Sequence, residues 1–240
     1  MNRIVKCCLA VALVFAVAGC SRCIVDGGHK GVQLWEGGPY WAETNIGAEN
    51  PWDYGFYFWW GDTIGYKRVN DAWVASDGPS SNYSFEYKHI LTCGKDDLTL
   101  MKEGWITAEG VLAPKHDAAH VHWGGNWRMP TEQELNDLCE KCDWTWTTTN
   151  GVNGYVVRGR ADYADASVFL PCAGYGDGTL LYYAGWHGYY WSSVPSSGNN
   201  GAWYHYFNSS LRGTGHYYFR YRRNGMSVRP VQGFTKKRQK

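Results

Sequence analysis

Pro130-Thr131-Glu132-Gln133-Glu134-Leu135-Asn136-Asp137-Leu138-Cys139-Glu140-Lys141-Cys142-Asp143-Trp144-Thr145-Trp146-Thr147 is the stretch in which the chain changes its period. Thr131 and Glu134 have capping-box spacing: the hydroxyl accepts from the third residue's amide and the carboxylate reaches back to the cap. A helix is predicted to begin there. Leu135, Leu138, Cys139 and Cys142 recur at helical spacing and define one buried stripe. The two cysteines are therefore read as small core residues; a lone Cys-x-x-Cys without a second pair is weak evidence for zinc. From Trp144 the pattern alternates, Asn150-Gly151 and Asn153-Gly154 are turn dipeptides, and Tyr155-Val156-Val157 resumes a strand. Ser167–Pro171, Tyr189–Ser193, Ala202–Phe207 and Met226–Val231 read as further short strands. One or two helices followed by a string of strands and long loops is an α+β pattern.

Upstream, Arg3 and Lys6 precede an apolar run from Cys7 to Ala18. The run falls short of the roughly 20 residues a membrane span requires, and matches the core of a secretory signal peptide. It ends in Val17-Ala18-Gly19-Cys20, which resembles the bacterial lipobox. That resemblance implies cleavage before Cys20, lipidation of its thiol, and export to the cell envelope, at the outer membrane or cell surface. Residues 1–19 are thus expected to be a lipoprotein signal peptide, 20–34 a small, polar tether, 35–233 the folded domain and 234–240 a basic tail. The lipid is the expected membrane contact. Past Cys20, five cysteines remain, an odd and loosely spaced set that is not a disulfide framework.

The net charge of +1 hides an asymmetry. From Gly178 to Lys240 there are nine Lys or Arg and no acidic residue; the first 177 residues carry 14 basic and 22 acidic ones. The tail accounts for four of the nine, leaving Arg212, Arg220, Arg222, Arg223 and Arg229. Such a split points to an anionic or acceptor-rich partner. The same region is aromatic: 14 of the 40 residues from Tyr182 to Tyr221 are Phe, Trp or Tyr, among Arg, His, Asn and Ser, the residue types of antibody paratopes. Alternation along Trp203-Tyr204-His205-Tyr206-Phe207 sets Trp203, His205 and Phe207 inward and Tyr204 and Tyr206 outward. His216–Arg220, five bulky residues, cannot all be buried on one strand.

His116, His120 and His122 form H-x3-H-x-H, a spacing open to zinc. The stretch reads as loop then strand crowded by Asp117 and Trp123, and His120 is taken as a structural histidine. Neither a serine-hydrolase elbow, a His-Glu-x-x-His pair nor a phosphate loop occurs.

Several stretches together resemble the Fibrobacter succinogenes major paralogous domain family. They are Trp41-Ala42-Glu43-Thr44-Asn45-Ile46-Gly47, Gly55-Phe56-Tyr57-Phe58-Trp59-Trp60-Gly61, Trp123-Gly124-Gly125-Asn126-Trp127-Arg128-Met129-Pro130-Thr131, Phe169-Leu170-Pro171, Tyr190-Trp191-Ser192-Ser193 and Ser227-Val228-Arg229-Pro230-Val231. The resemblance implies a C-type-lectin-like fold in an exported lipoprotein, similar to the variable proteins that retroelements diversify. It also implies that these motifs build a scaffold, while the segment between Tyr-Trp-Ser-Ser and Val-Arg-Pro displays the ligand-binding surface. The expected contacts are Tyr204, Tyr206, Arg212, His216, Tyr217, Tyr218 and Arg220, with Trp186, His187 and Tyr189 from the preceding loop. The acidic Pro-containing triplet and Trp-Asn-Asp of calcium-dependent lectins are missing, so no cofactor is expected. Formylglycine-generating enzymes share a similar fold but carry a reactive Cys pair late in the chain; here the last cysteine is Cys172. The expectation is a non-enzymatic receptor for an extracellular protein or glycan, not for nucleic acid. The alternative is a structural envelope protein that self-associates through its aromatic surface.

Overall fold

A computed structural model describes residues 22–83, 91–210 and 219–233, with side chains for all of these except 78–83, 219 and 220. A turn at Gly27-Gly28 folds Cys23–Asp26 (β1) onto His29–Gln33 (β2), and β2 pairs with Tyr40–Ala42 (β3). The stretch read as a tether is therefore part of the domain from Arg22 onward, and the domain does not begin at Trp35. Its glycines serve a hairpin: a side chain at Gly31 would meet the Trp127 ring at 2.9 Å, and Val32 and Leu34 are buried.

β3 is followed by Tyr57–Phe58 (β4), Tyr66–Val69 (β5), Ala72–Ala75 (β6) and Gly78–Tyr83 (β7). The short helices Asp97–Lys102 (α1) and Ala118–Trp123 (α2) precede Trp127–Arg128 (β8). The predicted helix is Glu132–Lys141 (α3), and its capping box forms: the Glu134 amide donates to Thr131 Oγ1 at 3.2 Å, and the Thr131 amide to Glu134 Oε2 at 2.8 Å. Leu135, Leu138 and Cys142 are buried and Cys139 half-buried, as the stripe required.

Asp143–Thr149 (β9) and Val152–Arg158 (β10) form a hairpin around Asn150-Gly151, whose φ values of 49° and 82° suit a tight two-residue turn. The second dipeptide, Asn153-Gly154, is not a turn. It lies inside β10, where the missing Cβ of Gly154 makes room for the Leu170 carbonyl. Ser167–Pro171 (β11) completes a three-stranded sheet, and Tyr175–Asp177 (β12) pairs with Leu180–Tyr182 (β13). The remaining strands are His187–Pro195 (β14), Gly201–Asn208 (β15), Phe219–Tyr221 (β16), Met226–Ser227 (β17) and Val231–Gln232 (β18).

An eight-stranded sheet runs β16-β15-β14-β17-β4-β5-β6-β7, and a five-stranded one β1-β2-β3-β18-β8. Among the described residues every pairing is antiparallel except β14 with β17. Three helices against mostly antiparallel strands make an α+β fold. Met226–Val231, read as one strand, is two strands in different sheets, because Val228-Arg229-Pro230 crosses between them.

That crossing holds the fold together. Arg229 is buried and points into the interior. Its Nε donates to Asn45 Oδ1 at 2.9 Å, Nη1 to the Ala42 carbonyl at 2.9 Å and Nη2 to the Phe169 carbonyl at 2.8 Å. One guanidinium thus joins β3, the loop after it and β11. Reciprocal indole bonds join two other motifs: Trp60 Nε1 donates to the Ser192 carbonyl and Trp191 Nε1 to the Phe58 carbonyl, both at 2.9 Å. At β8, Arg128 clamps Glu134 through two bonds of 2.7 and 2.6 Å and also reaches the Gly233 carbonyl.

Arg229→Lys keeps the charge but cannot span three acceptors, so two buried acceptors lose their donor. Urea unfolding should show a loss of about 3 kcal/mol or more. The same exchange at exposed Arg158 should change stability by less than about 0.5 kcal/mol.

Candidate functional site: an aromatic platform beside the central hairpin

β14 and β15 form a wall with a core on each side. Tyr190, His205 and Phe207 pack with Trp41, Leu138 and Tyr155 on one face. Tyr189, Trp191, Tyr204 and Tyr206 pack with Phe58, Trp60 and Met226 on the other. Gly188 permits this, because Phe207 lies across it and any Cβ there would come within 2.1 Å of the ring. The predicted alternation is present, with His205 inward beside Phe207; Trp203 is half-buried.

Two expected contacts are consequently not contacts. Tyr189 is 2 % exposed and Tyr204 8 %. They stack on each other at 5.9 Å, and Trp191 meets Tyr204 edge-on. Alternation placed Tyr204 on the opposite face from Phe207, and Tyr189 was expected from the preceding loop, but both lie on a face covered by the second core and not by water.

Where the second core reaches the surface, a group of rings emerges. Trp186 is 73 % exposed, Tyr183 51 % and Tyr182 38 %, with His187 and Tyr206 half-buried beside them. His187 stacks on Tyr183 at 4.5 Å and meets Tyr206 edge-on at 5.4 Å. Tyr182 stacks on buried Tyr175 at 5.5 Å, and Tyr175 meets Tyr189 edge-on at 4.9 Å. Polar atoms link the rings: His187 Nδ1 lies 3.3 Å from Tyr189 Oη and 3.5 Å from Tyr206 Oη, and Asn208 Nδ2 donates to Tyr206 Oη at 2.8 Å.

The loop carrying the rings is fixed to the body. The amides of Trp186 and His187 both donate to the Tyr183 carbonyl at 3.0 Å. The Gly185 amide donates to the Cys172 carbonyl, Asn153 Nδ2 to the Gly185 carbonyl, and the Gly174 amide to the His187 carbonyl. Tyr183 pays for this position with φ at 56°, a left-handed backbone that bulky residues rarely adopt.

Of the expected contacts, His187 and Tyr206 come together here, supported by Tyr189 and, through it, Tyr204, and Trp186 is exposed on the same loop. Arg212, His216, Tyr217 and Tyr218 lie outside the described residues, as do the side chain of Arg220, the lipobox with Cys20, and the tail. Tyr182 and Tyr183 were missed. The rule applied to His216–Arg220, that adjacent bulky residues cannot share one buried face, would have found them.

The basic surplus is partly internal. Arg222 is buried, donating to the carbonyls of Gly201, Thr92 and Lys95 at 2.8 to 2.9 Å over the Trp60 ring. Arg229 is buried as described, and Arg223 lies 3.9 Å from Asp177. Three of the five arginines that suggested an anionic partner therefore have partners within the protein.

The histidines of H-x3-H-x-H diverge: His116 stacks on Trp105 at 4.0 Å, and His122 Nε2 lies 2.8 Å from the Thr63 carbonyl. Among the described residues no three His, Cys, Asp or Glu side chains gather, and no disulfide joins the five cysteines. No protein-family model matches the chain, and no curated protein and no solved structure matches it either.

Burial pushes the His205 imidazole down from 6.5 to about 4, beside Cys139 Sγ at 3.6 Å. Between those values the unfolded chain binds a proton that the folded chain refuses, so stability falls as pH falls through this window. Relative to His205→Phe, the wild type should lose about 3 kcal/mol between pH 7 and pH 4, read from urea unfolding at each pH. Groups that titrate alike in both proteins cancel in the difference.

Proposed function

We propose that the chain is an exported, lipid-anchored recognition protein of the cell envelope that binds an extracellular protein or glycan. In this reading a C-type-lectin-like scaffold presents the aromatic platform, and the segment between Tyr190-Trp191-Ser192-Ser193 and Val228-Arg229-Pro230 is the one that retroelement diversification would vary. The platform's rings are rigid and amphipathic, the properties that make Tyr and Trp effective anchors at low entropic cost. The carrying observation is the Tyr183 backbone: a left-handed conformation costs about 1 kcal/mol or more, and here it holds a ring that is half exposed. One face of that ring stacks on His187 while about half of its surface stays in water, which supports a role in contact.

The test separates display from packing. Tyr183→Gly relieves the backbone, and Trp186→Ala removes a ring that is mostly in water. Together they should shift the melting temperature by less than about 4 °C. Wild-type protein, probed on arrays of extracellular proteins and glycans, should give a set of bound targets that the double variant loses. If the wild type binds none, or the variant keeps them, the platform is not the recognition surface. Concentration-dependent assembly in sedimentation, abolished by the same variant, would instead favour self-association.

A further inference from the structure

The two ends of the folded domain lie at one edge of the molecule. β1 pairs with β2, β2 with β3 and β3 with β18, each time antiparallel. Three successive reversals make β18 run opposite to β1, so β1 starts and β18 finishes at the same end of the five-stranded sheet. The register sets them in one row. The Gln33 amide donates to the Arg22 carbonyl at 2.8 Å, Gln33 faces Tyr40, and Tyr40 faces Gln232. Strands about 4.8 Å apart put Arg22 and Gln232 within about 15 Å of each other.

Both flanking segments leave from this edge. Cys20, the expected lipidation point, stands two residues before Arg22, and covalent geometry keeps its Cα within about 8 Å of the Arg22 Cα. Arg22 is itself fixed to the body: its guanidinium pairs with Asp165 and lies over the Tyr163 ring at 4.8 Å. On the other side, Phe234-Thr235-Lys236-Lys237-Arg238-Gln239-Lys240 follows Gly233 and holds four Lys or Arg and no acidic residue. Seven residues reach at most about 24 Å. The platform is at the opposite end of β10. Near Arg22's partners, Arg158 Nη1 donates to the Ala164 carbonyl, whereas the platform loop is bonded to Asn153, about 17 Å of strand away.

We infer that the tail is a second membrane contact: its Lys and Arg side chains lie on the anionic phospholipid headgroups of the bilayer that holds the Cys20 lipid. The inference rests on the lipoprotein reading and extends it. A lipid by itself leaves the domain free to pivot about one point. Attraction of Lys and Arg to an anionic surface falls off within a Debye length, about 8 Å at physiological salt, so a basic tail contributes only if its root is close to the bilayer. The shared exit edge supplies that closeness. Two attachments on one edge direct the platform away from the bilayer, toward partners outside the cell. They also give a use to the part of the basic surplus that Arg222, Arg223 and Arg229 do not account for.

Lysine acetylation of the full chain, produced in a bacterium and reconstituted into vesicles, tests this. Mass spectrometry of the Cys20 peptide first reports whether the lipid is present. On phosphatidylcholine vesicles with about 30 % phosphatidylglycerol, Lys236, Lys237 and Lys240 should be acetylated about tenfold more slowly than on phosphatidylcholine alone, and about 0.5 M NaCl should abolish the difference. Exposed Lys102 on α1 serves as the internal reference. Equal rates on the two kinds of vesicle would overturn the inference and leave the anchor reading standing. Equally slow rates in detergent without phospholipid would do the same, by assigning the tail to the protein's own surface. A Cys20 peptide without lipid would overturn both.

Discussion

A positive charge sealed inside a protein is costly unless every direction in which it can donate is answered. Arg229 has each of its three guanidinium nitrogens bonded without a carboxylate, through two backbone carbonyls and one amide oxygen drawn from segments 60 to 187 residues away in the chain. The arrangement is all or nothing: if β11 or the loop at Asn45 moved away, the guanidinium would face an apolar core with open donors. The five-stranded sheet, the crossing into the eight-stranded sheet and the three-stranded sheet are thereby held in one register. A hydrophobic side chain at this position could fill the space but would not specify which carbonyls lie around it.

The tryptophans repeat this logic with a neutral donor. Trp60 and Trp191 each bury a large apolar surface and each spend their single N–H on the strand that carries the other's neighbour. The sheet therefore closes around β4 and β14 through side-chain bonds as well as through the short β17 between them. This explains why strands of only two residues persist at the centre of the molecule: their ladder bonds are few, and the indoles supply the rest.

Much of this was legible in the sequence, in so far as the information was local. The capping box at Thr131, the buried stripe of α3, the Asn150-Gly151 turn and the strands at Ser167, Tyr189 and Ala202 depend on neighbours within a few residues. What failed depended on distant ones. Alternation told correctly that Tyr204 and Phe207 face opposite ways, but not that a second core covers the face of Tyr204. Gly27-Gly28 had the composition of a linker, and only pairing with β3, itself paired to β18 from the far end of the chain, makes it a hairpin. The charge count could not distinguish an arginine answered by carbonyls from one offered to a partner.

The site followed the same division. Trp186 and His187 were legible because a loop of aromatics has nowhere to bury them all. The same ground covers Tyr182 and Tyr183, which were missed; what no propensity favours is the left-handed backbone at Tyr183. The proposed site arises where a local rule is violated, a bulky residue held left-handed at Tyr183. The elements around it carry much of their own support, with the α3 capping box formed and Arg229 bonded to three segments. A scaffold supported in this way can tolerate an unfavourable placement. In the proposed reading, a ligand's contact with the exposed half of the Tyr183 ring offsets that strain.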